Sequence, residues 1–144
     1  MSIDGKSILF IDNSTSDFSG HDLNTVKVRG TESSLILLAE SFVKRNINVK
    51  VLTEIKDEVE CKGVIYSNKH NVETLKYDLC IAISNANLFK NIRSKKNVVW
   101  SNSLQSIEKF LRKKQLLPFL KYKPEVVTMC NYQYKKRSYI TSLY

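Results

Sequence analysis

Proline and glycine are scarce: the chain holds two prolines and four glycines in 144 residues. That excludes collagen-like repeats and argues against linkers and low-complexity segments, which are built from those residues. Cysteine is thin as well, with three thiols at Cys61, Cys80 and Cys130. Three scattered cysteines make neither a disulfide framework nor a zinc site. Cys80 and Cys130 lie inside apolar runs, which reads as small buried hydrophobes in a reducing compartment. Long hydrophobic runs are also missing. None approaches the roughly 20 apolar residues that span a bilayer, and the run 8–11 is too short for a secretory signal. A cytoplasmic location is the expectation.

What is present is enough for a core. Hydrophobic residues make up 42% of the chain, and the length suits one domain across residues 1–144. The charge is uneven. Residues 1–60 carry seven Lys/Arg against ten Asp/Glu, a net of −3, whereas residues 61–144 carry sixteen against four, a net of +12. Together they give the net +9 of the chain, so its basic character belongs to the C-terminal half.

Six short, β-branched segments read as strands, at residues 7–12, 48–53, 63–68, 78–84, 97–103 and 125–130. Most are apolar throughout their centres, the pattern of strands covered on both faces, and 7–12 and 78–84 are the most apolar and hence central. Between them, residues 31–46 repeat apolar side chains at helical spacing, with Leu35, Leu38, Ala39, Phe42 and Val43 on one face. Residues 87–94 and 104–114 read as shorter helices, and 131–144 as the start of another. Strands alternating with helices predict an α/β fold: a doubly wound, Rossmann-like parallel sheet of about six strands with helices on both faces.

In such a sheet ligands bind at the carboxyl ends of the strands. Those ends carry Asp12 and Asn13, Ser67 and Asn68, Ser84 and Asn85, and Ser101, Asn102 and Ser103, a polar rim with almost no fixed charge. It suits a hydroxyl-rich ligand, although Ser and Asn are also ordinary turn residues. Familiar motifs fail. No G-x-G-x-x-G follows the first strand, so NAD or FAD is not expected. The Gly5-Lys6-Ser7 triplet precedes that strand, whereas a P-loop would follow it. His21 and His70 have no cluster of further ligands, and no metal site is expected. There remains Gly30, ahead of the longest helix and flanked by Arg29, Thr31 and Glu32. A glycine at a helix start lets a ligand approach the backbone, and the free N–H groups favour an anion. Glu32 is either a first-turn carboxylate that stabilises the helix dipole or a group that meets ligand hydroxyls.

Taken together, Gly30-Thr31-Glu32, Leu38-Ala39 and the run NINVKVLT at 46–53 resemble the N-terminal domain of GT-B glycosyltransferases, most like glycosyltransferase family 4. That family has a Gly-rich turn followed by Glu, and a helix leading into a G-H-x-V-x-V-x-T strand. The runs YDLCIAISNA (77–86) and NVVWSNS (97–103) resemble its fourth and fifth strands, and VVTMCNYQYKKR (126–137) its V-x-x-x-S-x-Y-x-K segment. The likeness covers nearly the whole chain, with loose motifs. Arg29 or Thr31 stands where the family often has a second glycine, and Asn102 where it often has a histidine; Asn keeps a polar group but is no acid or base at neutral pH. The resemblance implies a retaining transferase that moves sugar from a nucleotide-sugar to a glycan or lipid-linked acceptor, with no further cofactor. It implies that Asn13, Arg29, Gly30, Thr31, Glu32, Ser84, Asn85 and Asn102 bind substrate, and it assigns no catalytic residue. The family holds its donor mainly in a second, C-terminal domain with an E-x7-E motif. This chain is then the acceptor-side half, inactive alone, and the donor domain belongs to a longer polypeptide or a separate partner chain.

The basic segments KNIRSKKNVVW and KFLRKKQLLPFLKYK present the alternative, a non-catalytic binding module for an anionic membrane surface or nucleic acid. Their apolar residues are mostly aliphatic, a poor surface for stacking bases, so nucleic acid is the less expected partner. An amphipathic patch at the inner face of a membrane accounts for them better, with Arg112, Lys113, Lys114 and Phe119 at the surface. Pro118 predicts a break after the helix and a short apolar loop. A helix with a core-facing side and a solvated basic side explains the same pattern.

Overall fold

The computed structural model describes residues 5–71, 76–102, 107–128 and 130–135. Its centre is a sheet of seven strands. In chain order these are β1 (Ser7–Ile11), β2 (Asn48–Thr53), β3 (Val59–Cys61), β4 (Val64–Asn68), β5 (Lys76–Ile83), β6 (Arg93–Ser101) and β7 (Glu125–Thr128). The helices are α1 (Gly30–Val43), α2 (Ile107–Arg112), α3 (Leu116–Tyr122) and α4 (Asn131–Lys135), with 3-10 turns at Gly20–Asp22 and Ala86–Phe89.

Across the sheet the order is β3-β4-β2-β1-β5-β6-β7, and every pairing is parallel except that of β3 with β4. The chain moves outward from β1 through β2 to β4, then returns to β5 on the other side of β1 and continues to β7. Strands β2 to β4 and β5 to β7 thus lie on opposite sides of β1, an order compatible with a Rossmann-like sheet. β1 and β5 are central, as their unbroken apolar character predicts, and Phe10 stands in register with Val51 on one side and Ile81 on the other.

The sheet buries both faces. On one, Phe10, Val51, Tyr66 and Ile81 pack with Leu35, Ile36 and Ala39 of α1, and Leu38, Phe42 and Val43 fill in at the edge. The helical repeat seen in the sequence is thus the face that α1 turns to the sheet. On the other, Leu9, Cys80, Ala82 and Val99 pack with Ala86 and Phe89 of the 3-10 turn and with Phe119 of α3.

Several expectations need correction. Among the described residues the sheet has seven strands where about six were expected, since Val59–Cys61 forms an antiparallel edge strand through a tight turn at Lys62 and Gly63. Both turn residues have positive φ, of 50° and 79°, the geometry of a two-residue hairpin loop. Residues 87–94 are not a helix. The turn ends at Phe89, Lys90 is extended (φ −59°, ψ 129°), and Asn91 adopts φ 67°, so the chain leaves helical geometry and enters β6 at Arg93. Pro118 does not break the chain into a loop. It sits in the first turn of α3, where a missing N–H costs no helical hydrogen bond. Phe119, expected at the surface, is fully buried. Cys130 is exposed, whereas Cys61 and Cys80 are buried. Leu104 to Ser106 and residues 136–144 of the expected helices lie outside the described residues.

Candidate functional site

The carboxyl ends of β1, β5 and β6 and the first turn of α1 enclose an open cleft of about 370 Å³. Asp12, Asn13 and Ser14 come from the end of β1, Ser84 from the end of β5, Asn102 from the end of β6, and Arg29 to Glu32 from the start of α1. It lies at the carboxyl ends of the neighbouring strands β1 and β5, and open α/β sheets generally bind ligands at the carboxyl ends of their strands. Seven of the eight substrate-binding residues expected from the sequence line this one space: Asn13, Arg29, Gly30, Thr31, Glu32, Ser84 and Asn102.

The eighth, Asn85, does not line the cleft but is bonded to a residue that does. Its side-chain amide donates to Asn13 Oδ1 at 3.0 Å, and its own Oδ1 accepts the Asn87 N–H at 3.0 Å, starting the 3-10 turn. Ser67 and Asn68, also expected on the rim, serve the fold. The Ser67 hydroxyl donates to Glu58, and Asn68 donates to the Ile55 carbonyl at 2.8 Å.

Each wall of the cleft is tied to the next. The Asn102 side-chain amide donates to Thr31 Oγ1 at 3.1 Å, joining the end of β6 to the start of α1. Ser84 is held at φ 55°, an uncommon conformation for a residue with a side chain. Its N–H donates to the Trp100 carbonyl at 2.9 Å and its Oγ accepts the Asn102 N–H at 3.2 Å, so β5 and β6 end in a fixed relation. At the helix start, Glu32 accepts the Arg29 N–H at 3.0 Å. Glu32 therefore caps the helix while lining the cleft, and Thr31 Oγ1 accepts from Asn102 with its own O–H proton left to donate. The Arg29 side chain is exposed and forms no ion pair among the described residues.

Gly30 is the odd member. It needs no positive φ, and a Cβ built on it would meet nothing within 4 Å. Neither backbone geometry nor packing requires a glycine there. Gly30 lines the cleft, and the position of an added Cβ is open space.

Sequence reading missed Asp12 as a buried charge. It is 2% exposed and accepts the Ser14 N–H at 2.9 Å as well as the Ser14 hydroxyl. Burial holds its pKa above the ordinary carboxylate value; the Ser14 bonds oppose the shift, Glu32 adds to it, and Lys69 opposes it. Behind Asp12, Lys69 donates to the Ser14 carbonyl at 2.7 Å and pairs with Glu54 at 2.8 Å, while His70 meets the other oxygen of Glu54 at 3.1 Å. The signal was available. Glu54 directly follows β2, and Lys69 and His70 follow β4, so neighbouring parallel strands deliver them to one place.

A raised folded-state pKa gives a definite pH signature. The folded protein keeps the proton that the unfolded chain releases near 3.8. This contribution therefore falls as pH rises from there through the folded value, and is level above it. Asp12→Asn keeps an oxygen that accepts from Ser14 and removes the buried charge. In urea unfolding across an acid-to-neutral series, we expect the variant to be no less stable than the parent at neutral pH, with its advantage shrinking as pH falls. A clear loss of stability at neutral pH would show that the carboxylate is favourable in place.

No family model, curated protein or solved structure matches the chain. Among the described residues, no group of three or more His, Cys, Asp or Glu side chains is placed to hold a metal ion.

Proposed function

We propose that the chain is the acceptor-side, doubly wound Rossmann-like domain of a retaining GT-B glycosyltransferase. It transfers sugar from a nucleotide-sugar to a glycan or lipid-linked acceptor when combined with a donor-binding domain. The observation that carries this reading is Gly30, a glycine that the fold does not demand, opening onto a polar cleft at the carboxyl ends of β1 and β5. With no side chain at that point, a phosphate or a sugar can reach the first-turn N–H groups of α1, which together with the helix dipole favour negative charge. Arg29 adds a full positive charge at the rim. Asn13 and Ser14 offer uncharged partners to hydroxyl groups, and the buried Asp12 supplies an acceptor at the floor.

On this reading the domain contributes binding and orientation. Holding donor and acceptor in line is worth many powers of ten, and that requires both domains. Asn102 acts through position, since it bonds Thr31 and cannot exchange a proton at neutral pH. The test is a transfer assay with the chain joined to, or mixed with, a donor-binding domain, over a panel of nucleotide-sugars and glycan acceptors. Turnover that needs both halves is expected, and none from this chain alone. No turnover from the combined halves on any donor would sink the proposal.

A second reading has its own observation. Leu111, Leu117 and Leu120 are 59%, 78% and 41% exposed, and Arg112, Lys113, Lys114 and Lys121 are exposed around them. Aliphatic side chains ringed by cations suit an anionic lipid surface better than stacked bases. The domain would then sit peripherally on the cytoplasmic leaflet. Among the described residues no helix is long and apolar enough to cross a membrane.

A further inference from the structure

A pair of adjoining cavities lies on the α3 side of the sheet, apart from the cleft at α1. One, of about 410 Å³, is an apolar groove formed by Leu117, Pro118 and Tyr122. The second, of about 290 Å³, reaches inward past Leu88 and Ile92 to Lys69 at the carboxyl edge of the sheet. Asn87 and Lys90 line both, so the two meet at a shared wall. These volumes are of the order of those that hold small ligands, about 300–1,000 Å³.

The charges around this junction have one sign left over. Glu54 is occupied by Lys69 and His70. Lys90 and Lys121 are exposed and form no ion pair among the described residues. Lys121 instead stands 5.2 Å from the centre of the Tyr122 ring, which keeps its ammonium at the lip of the apolar groove. An apolar trough with two uncompensated ammonium groups at its mouth is complementary to one kind of molecule, an amphiphile with an anionic head and a hydrocarbon tail. The inner cavity also adjoins the α1 cleft. Lys69, which lines the inner cavity, donates to the carbonyl of Ser14, which lines that cleft.

We propose that this double cavity binds a single phosphate-bearing lipid. The tail lies along Leu117, Pro118 and Tyr122, the phosphate sits between Lys90 and Lys121, and whatever the phosphate carries points past Asn87 toward the carboxyl edge of the sheet. Binding itself does not depend on glycosyl transfer. The further statement that this lipid is the acceptor rests on the function proposed above.

The test uses the chain alone and straight-chain alkyl phosphates kept below their micelle concentration, titrated calorimetrically beside inorganic phosphate and the matching alcohols. Octyl phosphate should bind, and each added methylene should tighten binding by about fourfold until the groove is full. Inorganic phosphate and octanol should each bind at least tenfold more weakly than octyl phosphate. Lys90→Ala should weaken alkyl phosphates about fivefold, the effect of one nearby cation on an anionic headgroup, and leave the alcohols unchanged. Leu117→Ser should flatten the dependence on chain length. Equal binding of inorganic phosphate would make this a free-phosphate site, and equal binding of octanol a plain apolar groove; either overturns the proposal, as does no binding at all. Because no nucleotide-sugar is present, a failure here leaves the transfer assay unaffected, and a failed transfer assay leaves this binding intact.

Discussion

Replacing Gly30 with valine is expected to abolish transfer by the combined halves while leaving the fold as stable as before. The two parts of this expectation have separate causes. The fold should tolerate the change because the residue is the first of a 14-residue helix, adopts no positive φ, and would place its new Cβ more than 4 Å from every group beyond its chain neighbours and the helix's own backbone. Valine is also a better helix former than glycine, and removing glycine stiffens the unfolded chain, which typically stabilises by about 0.4–1 kcal/mol. Transfer should fail because the branched side chain would occupy the space in front of the first-turn N–H groups. A ligand displaced there by about 1 Å loses roughly 100-fold in rate, and a valine displaces it further. Gly30→Ala should give a smaller loss at the same stability, so the series reads the depth of the approach. Thermal unfolding beside initial rates of transfer is the measurement. Full activity in Gly30→Val would reduce the glycine to the beginning of a helix.

That experiment works because the position could be found in the sequence while its reason could not. Gly30 stood out by rarity and by its place before a periodic helix. That it faces empty space, with no neighbour to accommodate, depends on the loop that brings α1 to the end of β1. The strands were legible for a related reason: β1 and β5 are covered on both faces, so each is apolar at nearly every position and needs no partner to be recognised. β6 was misjudged at its start, where Arg93 to Lys96 pair with β5 beyond the covered part of the sheet and carry polar side chains. Phe119 was misassigned because α3 carries large apolar residues on both its inward and its outward face. Only the packing shows that Leu116, Phe119 and Tyr122, spaced by three, turn to the sheet, while Leu117, Leu120 and Lys121 face out. The site had the same limit. Ser84 and Asn102 were visible as polar strand ends, but the bond from Asn85 to Asn13 joins residues 72 apart and follows from strand order alone.

Reversing Arg112, Lys113 and Lys114 together to glutamate should remove binding to anionic vesicles. The cations cluster closely enough to affect one another. Lys109, half-buried on α2, has its pKa pushed down, first by burial and then by the charges of Lys113 and Arg112. A cluster that repels itself gains when an anionic surface is brought to it, at about 1 kcal/mol per Lys or Arg near the headgroups. Losing three such contacts costs on the order of 100-fold in affinity, and three new carboxylates add repulsion. On this reading Leu111, Leu117 and Leu120, which are exposed, would enter the headgroup layer, whereas Phe119 belongs to the core. Two kinds of variant therefore separate surface from fold. Leu120→Ser should weaken vesicle binding at unchanged stability. Phe119→Ala should cost about 3–5 kcal/mol of stability and is not a test of the surface. Binding of the parent chain should also weaken as salt rises, because exposed charges are screened over about 10 Å at 0.1 M, and should be absent on neutral lipid. Sedimentation with vesicles of each composition reads all of these. If the triple reversal bound as tightly as the parent, or if salt made no difference, the cations of α2 and the turn after it would be an ordinary solvated face.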